Sequence, residues 1–163
     1  MRIFKEEQRF TQKWLIILLS ISAVVPLVII SKIYFEGQMN LAQFTGTTAL
    51  VLASIGLIFI FKLETRIDEI GVHYQFFPFH LKMKTIFWKD VKFAKTRTYN
   101  AISEYGGWGL KGGWPFNKKK GIAINVKGNI GIQLTLKNDK KILIGTQKKY
   151  DADNVIARYL HKI

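Results

Sequence analysis

The residue types that perform most enzyme chemistry are sparse in this chain of 163 residues. There is no cysteine, which excludes disulfides, thiolate nucleophiles and thiolate-ligated zinc or iron–sulfur sites. The histidines, His73, His80 and His161, have no second type of metal-ligating residue at a useful spacing. Asp68 and Glu69 fall in a predicted turn, where carboxylates usually stabilise the turn itself. We therefore expect no catalytic residue, metal site or cofactor, and the chain is predicted not to be an enzyme.

The segment Gly107-Trp108-Gly109-Leu110-Lys111-Gly112 has the glycine spacing of a dinucleotide-binding fingerprint. That chemistry needs a buried strand before the glycines and a helix after them, whose N-terminus holds the pyrophosphate. Here Gly113-Trp114-Pro115 follows, and no βαβ pattern surrounds the segment. The match is therefore interpreted as accidental.

Basic side chains in the predicted third and fourth strands suit binding instead. They form a first candidate set for lipid or partner contact: Lys82, Lys84, Lys89, Lys92, Lys95 and Arg97. A domain held at an anionic leaflet gains about 1 kcal/mol for each basic residue near the surface. A solvated basic face without a ligand is the alternative. Nucleic acid also suits a basic β-domain with aromatic residues, but membrane attachment disfavours it.

A glycine-rich stretch, residues 101–121, supplies a second candidate set. Its indoles and lysines are Trp108, Lys111, Trp114, Lys118, Lys119 and Lys120. Indoles beside lysines suit an anionic lipid interface, and long loops also form surfaces for protein partners. The third interpretation is that the aromatic rings fold back and cover the β-domain. We expect Trp108 to be buried against that domain and Trp114 to be more exposed.

Two regions of opposite character make up the chain, whose formal charge is +14. Residues 14–61 carry only Lys32 and Glu36 as charges, whereas residues 62–163 carry 20 basic and 8 acidic side chains. This split excludes both a uniform soluble globule and an intrinsically disordered chain. It predicts a membrane anchor followed by one small domain.

The apolar region contains two stretches long enough to cross a bilayer. Residues 14–35 extend about 33 Å as a helix, against a hydrocarbon core of about 30 Å. Residues 41–61 carry no charge. We predict two transmembrane helices over these ranges, joined by an extracytoplasmic turn at residues 36–40. Small residues at Ala49 and Ala53 are expected to pack against the first helix.

Basic residues close to the predicted helices set their orientation. They lie before the first helix and after the second: Arg2, Lys5, Arg9, Lys13, Lys62 and Arg66. The positive-inside rule therefore places both termini in the cytoplasm. Residues 1–13 are interpreted as a cytoplasmic basic N-terminus, and residues 62–163 as a cytoplasmic β-domain.

Alternating apolar residues in the region 62–163 predict seven short strands, with turns at residues 68–71, 127–129 and 138–139. The turn at 127–129 is predicted to join neighbouring strands of a hairpin. Leu81, Met83, Thr85 and Phe87 are predicted to share one face. The pattern favours an antiparallel barrel or sandwich.

The last segment has helical periodicity, with one apolar stripe formed by Ala152, Val155, Ile156, Tyr159, Leu160 and Ile163. Asp151 or Asp153 is expected to cap its N-terminus. A helix this short needs a surface to pack on, and the β-domain is the nearest one.

The order of seven strands and one amphipathic helix resembles that of a pleckstrin-homology-like (PH-like) domain. The chain is similar to an uncharacterised bacterial family in which two membrane helices precede such a domain. The likeness rests on the helix pair, the terminal helix and three stretches: Ile86-Phe87-Trp88-Lys89-Asp90-Val91, Ser103-Glu104-Tyr105-Gly106-Gly107-Trp108-Gly109, and the segment from Asn125-Val126-Lys127-Gly128-Asn129 to Ile144-Gly145-Thr146-Gln147-Lys148.

This resemblance implies an α+β protein of the bacterial cytoplasmic membrane with no shared catalytic residues. The expected function is binding a protein partner or organising a membrane complex. The alternative is sensing anionic lipid headgroups through the basic strands and the Trp108/Trp114 loop, and a membrane-associated enzyme is a remote further alternative.

Overall fold

Two apolar helices form a hairpin near the N-terminus of the chain. In the computed structural model, which describes residues 3–112 and 121–163, α1 spans Lys13–Phe35 and α2 spans Leu41–Gly56. A 3₁₀ turn at Leu57–Ile60 extends α2. Both helices are long and apolar enough to cross a membrane. α1 begins one residue before the predicted range 14–35, and α2 with its 3₁₀ extension covers residues 41–60 of the predicted range 41–61.

The connection between the helices ends in a well-formed cap. The Asn40 side chain accepts a hydrogen bond of 2.9 Å from the backbone N–H of Gln43. The Gln43 side chain in turn accepts one of 3.0 Å from the backbone N–H of Asn40. This capping box satisfies two N–H groups that would otherwise lack partners at the start of α2. It fixes where the second helix begins.

The face that α2 presents to α1 differs from the predicted one. Ala49 and Ala53 are exposed, and the partly buried stripe of α2 consists of Phe44, Thr47, Thr48, Val51 and Ile55. Tyr34 of α1 stacks on Phe44 with a centroid distance of 4.6 Å. The prediction for Ala49 and Ala53 was wrong, because larger side chains three and four residues apart fill the contact with α1.

A β-unit forms the second compact part of the chain, and it contains residues from both sides of the hairpin. β1, Phe4–Arg9, pairs antiparallel with β2, Lys62–Ile67, so that Arg9 lies opposite Lys62. The sequence predicted residues 1–13 only as a basic N-terminus, and this strand was not anticipated. Alternate residues of β1, beginning with Phe4, are buried.

The strands form two sheets. The first has the order β1-β2-β3-β4, in which β3 is Gly71–Phe77 and β4 is Lys84–Phe87. The second has the order β5-β8-β9-β7-β6. Its strands are β5 Val91–Thr98, β6 Gly109–Gly112, β7 Ile122–Asn125, β8 Ile130–Leu136 and β9 Lys141–Gly145. Two further helices are α3, Ala101–Tyr105, and α4, Lys149–Tyr159.

This topology corrects the predicted seven-stranded antiparallel arrangement. Nine strands are present in the described residues, they do not close into a barrel, and β7 runs parallel to β9. The turn at 127–129 does not join hairpin partners, because β9 lies between β7 and β8. Leu143 and Ile144 of β9 are consecutive and fully buried, so both faces of this strand are covered at that position. The predicted turns at 68–71 and 138–139 are confirmed.

The terminal helix packs on the β-unit through four buried residues: Ala152, Val155, Ile156 and Tyr159. This confirms most of the predicted stripe, although Leu160 is 47% exposed because a 3₁₀ turn begins there. The predicted cap was wrong. The N-cap is Lys148, Asp151 lies in the first turn, and Asp153 instead accepts a 2.6 Å hydrogen bond from the Thr96 hydroxyl.

Candidate functional site

An open groove on one face of the second sheet is lined by the adjacent strands β5, β8 and β9 and by the short helix α3. Side chains on a strand alternate between its faces, so Phe93 and Lys95 of β5 point to the same side. The register places Phe93 opposite Thr135 of β8, and Thr135 opposite Lys141 of β9. The cavity measures about 410 Å³, and we call it the basic groove. It is lined by Phe93, Lys95, Arg97, Glu104, Tyr105, Gln133, Thr135 and Lys141.

Arg97 builds one wall of the basic groove. Its guanidinium donates hydrogen bonds to the Glu104 carboxylate at 2.8 Å, to the Gln133 side-chain oxygen at 3.1 Å and to the Tyr105 hydroxyl at 3.2 Å. Burial alone would lower the pKa of Arg97, but the hydrogen bond to Glu104 and the other contacts raise it. Arg97 therefore stays charged and holds α3 against the sheet.

Glu104 extends this wall into the start of α3. Its second carboxylate oxygen accepts a 2.8 Å hydrogen bond from the backbone N–H of Asn100. The Asn100 side chain accepts hydrogen bonds of 3.0 Å from the N–H groups of Ile102 and Ser103. These contacts cap a helix that is too short to be stable alone. The wall of the groove is thus fixed before any ligand arrives.

The remaining charges of the basic groove point into solvent. Lys95 and Lys141 are exposed, and the Lys95 ammonium lies 5.4 Å from the centre of the Phe93 ring, which is itself 49% exposed. Three cations and one carboxylate leave the groove positively charged. Such a surface attracts an anionic group and offers an apolar contact beside it.

A second cavity, of about 600 Å³, has charges of both signs around it. At its base, Thr146 donates a 2.6 Å hydrogen bond to the Glu6 carboxylate, and the backbone N–H of Gln147 donates one of 2.8 Å. Gln8 donates to the carbonyl of Gly145 at 2.8 Å. Because these buried groups have partners within the protein, we interpret this Glu6 network as structural. Sequence reasoning missed it, since nothing local relates residues 6 and 146.

A hydroxyl–imidazole–carboxylate chain crosses the outer face of the first sheet. The Thr85 hydroxyl oxygen lies 2.8 Å from Nδ1 of His73, and Nε2 of His73 lies 3.0 Å from Oδ1 of Asp68. Nucleophilic hydrolases use such an order of groups. Here the Asp68 carboxylate also forms a 2.9 Å ion pair with the Arg66 guanidinium and accepts a 2.9 Å hydrogen bond from the backbone N–H of Ile70. These contacts stabilise the turn between β2 and β3, as expected for Asp68 from the sequence.

The basic residues of the first candidate set are dispersed in the structure. Lys95 and Arg97 meet in the basic groove, whereas Lys82 and Lys84 lie at the β3–β4 end of the first sheet. Lys92 pairs with Asp139 at 2.9 Å. The ammonium of the remaining lysine, at position 89, lies 5.5 Å from the centre of the Phe87 ring. The six residues of this set therefore do not form one shared binding surface.

The second candidate set is described only in part. Lys111 lies on β6, while Trp114, Lys118, Lys119 and Lys120 lie outside the described residues. Trp108 is half-buried against an aromatic cluster formed by Tyr99, Ala101, Tyr105, Ala123 and Leu143, and its indole donates a 3.1 Å hydrogen bond to the Gly128 carbonyl. Gly109–Gly112 of the fingerprint-like segment form the strand β6, which agrees with an accidental match.

Asn125 fastens the aromatic cluster to the neighbouring strand. Its side chain donates a 2.7 Å hydrogen bond to the Tyr99 hydroxyl and accepts one of 2.9 Å from the Gly109 N–H. Burial raises the pKa of Tyr99 to about 12, so this hydroxyl remains protonated at neutral pH. These contacts hold Trp108 at the edge of the core.

The structure supports a coarse description of the chain: two long apolar helices near the N-terminus, then two β-sheets and a C-terminal helix. The finer resemblance to a bacterial PH-like family stays a prediction. Comparison with protein-family models, with curated proteins and with solved structures finds no match for this chain, and no family is identified.

Proposed function

We propose that the chain is a membrane-anchored, non-enzymatic interaction protein whose basic groove binds an acidic segment of a protein partner. The observation that carries this proposal is the convergence of Lys95, Lys141 and the half-exposed Phe93 ring beside a wall fixed by Arg97 and Glu104. An acidic side chain next to an apolar one matches these groups. A preformed wall also reduces the entropy lost on binding.

The proposed location is the cytoplasmic membrane of a bacterium, with both termini in the cytoplasm. The strands that precede and follow the hairpin, β1 and β2, are neighbours in one sheet, where Arg9 lies opposite Lys62. This supports placing both termini on the same side of the membrane. The proposed fold is PH-like. Apart from β6 and β7, at one edge of the second sheet, seven strands precede one amphipathic helix, which is the order of such a domain.

The alternative is an anionic-lipid sensor that uses the basic strands and the Trp108/Trp114 loop. Dispersal of the lysines over both sheets and packing of Trp108 on the aromatic cluster favour the partner-binding proposal over this arrangement. The two functions also differ in their ligand, which a site-specific crosslink distinguishes.

The test places a photoreactive phenylalanine analogue at Phe93 of the full-length chain in native membranes. We expect one discrete protein adduct. Double charge reversal, Lys95→Glu with Lys141→Glu, should reduce the yield of that adduct about tenfold, which corresponds to a loss of about 1.4 kcal/mol in binding free energy. Lys137→Glu, at an exposed position in the turn between β8 and β9 and outside the groove, is the matched control. An adduct that survives the double reversal, or crosslinks to lipid alone, would contradict the proposal.

A further inference from the structure

The connection between β3 and β4 displays apolar side chains to solvent. Phe79 is 61% exposed, Leu81 is 79% exposed and Met83 is 41% exposed. Lys82 and Lys84 lie among them and are also exposed. Of the residues predicted to share one face, only Thr85 and Phe87 lie on β4, which begins at Lys84; both are exposed, and the buried side chain of the strand is Ile86. We refer to residues 78–83 as the β3–β4 loop.

Contacts within the first sheet hold the β3–β4 loop in this conformation. His80 is buried, and its backbone N–H donates a 2.8 Å hydrogen bond to the Phe76 carbonyl. The Gln75 side chain donates hydrogen bonds of 3.1 Å to the carbonyls of both His80 and Leu81. Phe79 stacks on Phe76 with a centroid distance of 5.8 Å. The exposure of Phe79 and Leu81 is thus built into the fold.

The buried imidazole contributes to this arrangement as a neutral group. Nδ1 of His80 accepts a 3.3 Å hydrogen bond from the backbone N–H of Phe76. Burial, assisted by the positive charge of Lys84, lowers the pKa of His80. A neutral imidazole has one unprotonated nitrogen that accepts a hydrogen bond, so the loop keeps this contact at neutral pH.

The strand register places the β3–β4 loop at a particular end of the first sheet. Arg9 lies opposite Lys62, and Lys62 lies opposite Phe77, so the three residues mark one end of neighbouring strands. From this same end the chain leaves for the apolar hairpin. Three residues separate Arg9 from α1, and Phe61 alone separates the 3₁₀ turn after α2 from Lys62.

The two ends of the first sheet also differ in charge and polarity. The turn at the opposite end contains the acidic residues Asp68 and Glu69. That turn exposes one apolar side chain, Ile70, whereas the β3–β4 loop and the first residue of β4 combine three exposed apolar side chains with Lys82 and Lys84. This composition suits the boundary between acyl chains and anionic headgroups. Exposed apolar side chains, positive charge and the strand ends that continue into the hairpin thus coincide at one end of the sheet.

We propose that the β3–β4 loop inserts Phe79 and Leu81 into the interface of the bilayer that the hairpin crosses, while Lys82 and Lys84 contact anionic phospholipid headgroups. Two inserted apolar side chains are few compared with the roughly 20–30 residues that each side of a typical protein interface contributes. They suffice for a loop already tethered at the bilayer, because the tether provides a high effective concentration. This site lies outside the basic groove and does not depend on the function proposed for it.

The chain contains no native cysteine, so single cysteines at Phe79 or Leu81 can carry an environment-sensitive fluorophore. The full-length protein is placed in nanodiscs of phosphatidylcholine and phosphatidylglycerol that contain spin-labelled lipid. Glu69→Cys, exposed in the opposite turn of the same sheet, is the matched control. We expect blue-shifted emission and lipid quenching at positions 79 and 81, and neither effect at position 69.

Charge dependence provides the second measurement. Quenching at position 79 should decrease when phosphatidylglycerol is omitted, and Lys82→Glu with Lys84→Glu should remove the difference between the two lipid compositions. Lys95→Glu, in the basic groove, should leave the quenching unchanged. Equal quenching at positions 79 and 69 overturns the proposal. Shielding of position 79 from aqueous iodide without lipid quenching also overturns it, since that result identifies protein contact. No difference between lipid compositions overturns the role of the lysines.

Discussion

The Glu6 carboxylate accepts a 2.6 Å hydrogen bond from the Thr146 hydroxyl, although the two residues are 140 positions apart in the chain. Glu6 precedes the apolar hairpin, and Thr146 follows the last strand of the second sheet. The segment that leads into α1 is therefore fastened inside the β-unit, and the hairpin is connected to one β-unit at both of its ends.

Glu6→Ala should destabilise the β-unit by about 2–4 kcal/mol, because it leaves the Thr146 hydroxyl and the Gln147 N–H without their buried acceptor. The neighbouring Glu7→Ala should cost less than about 1 kcal/mol, since its ion pairs with Arg9 and Lys62 are partly exposed. Urea unfolding of the full-length chain in detergent micelles measures both values. Equal costs at the two positions would contradict a structural role for the Glu6 network.

Ile156→Asp should abolish folding of the β-unit, because Ile156 is only 3% exposed on the face of α4 that packs on the sheets. An unpaired carboxylate placed there costs several kcal/mol. Asn154→Ala, on the exposed face, should change stability by less than about 0.5 kcal/mol. Near-ultraviolet circular dichroism reports the loss of packing. A folded Ile156→Asp protein would mean that α4 is dispensable.

Trp108→Ala should destabilise the β-unit by about 2–3 kcal/mol, below the usual range for a core tryptophan because the side chain is half-buried. The substitution removes the packing on the aromatic cluster and the hydrogen bond to the Gly128 carbonyl. Ile102→Ala, at a 66% exposed position of α3, is the control and should cost less than about 0.5 kcal/mol. If Trp108→Ala lowers the free energy of unfolding no more than Ile102→Ala does, the prediction is contradicted and Trp108 is again a candidate for lipid contact.

Asp68 should make stability depend on pH in the acid range. Burial alone would raise the pKa of this carboxyl, but the hydrogen bonds with His73 and the backbone N–H of Ile70 hold it below the ordinary value of 3.8. A lowered folded-state pKa stabilises the protein above the unfolded pKa, and the contribution disappears as the pH falls through the folded pKa. The wild type should therefore lose more stability below about pH 4 than Asp68→Asn. Urea unfolding at several pH values checks this, and parallel profiles for the two proteins would contradict it.

Membrane topology is testable by cysteine labelling, again without background from native thiols. Because basic residues flank both outer ends of the hairpin and β1 pairs with β2, we expect the two termini on the cytoplasmic side. A cysteine at Gln38, between the helices, should react with a membrane-impermeant maleimide added to intact cells. One at Asn138, in the β8–β9 turn, should react only after permeabilisation. Labelling of position 138 in intact cells would reverse the orientation.

Local patterns in the sequence determined α1, α2, α4 and most strand positions, whereas the short helix α3 was not predicted. Continuous apolarity over residues 14–35 and 41–61 defined α1 and α2 because a helix of that composition satisfies its backbone hydrogen bonds within itself. The stripe through Ala152, Val155 and Ile156 likewise identified the buried face of α4, since helical periodicity is a local property. Alternation also placed Lys95 and Arg97 on one strand, although Gln133 and Lys141 join them only through strand pairing.

Tertiary structure alone decided the features that depend on distant partners. Phe4–Arg9 contains four charged residues and lacks an apolar alternation, so its sequence does not indicate a strand. It becomes one because Gln8 and Glu6 find buried hydrogen-bond partners in Gly145, the last residue of β9, and in Thr146, which follows it. The position of β9 between β7 and β8 likewise follows from pairing between distant segments. The exposure of the Leu81 side chain follows from the hydrogen bond that Gln75 donates to the Leu81 carbonyl. Strand order and loop direction depend on such pairing, which periodicity within one segment does not encode.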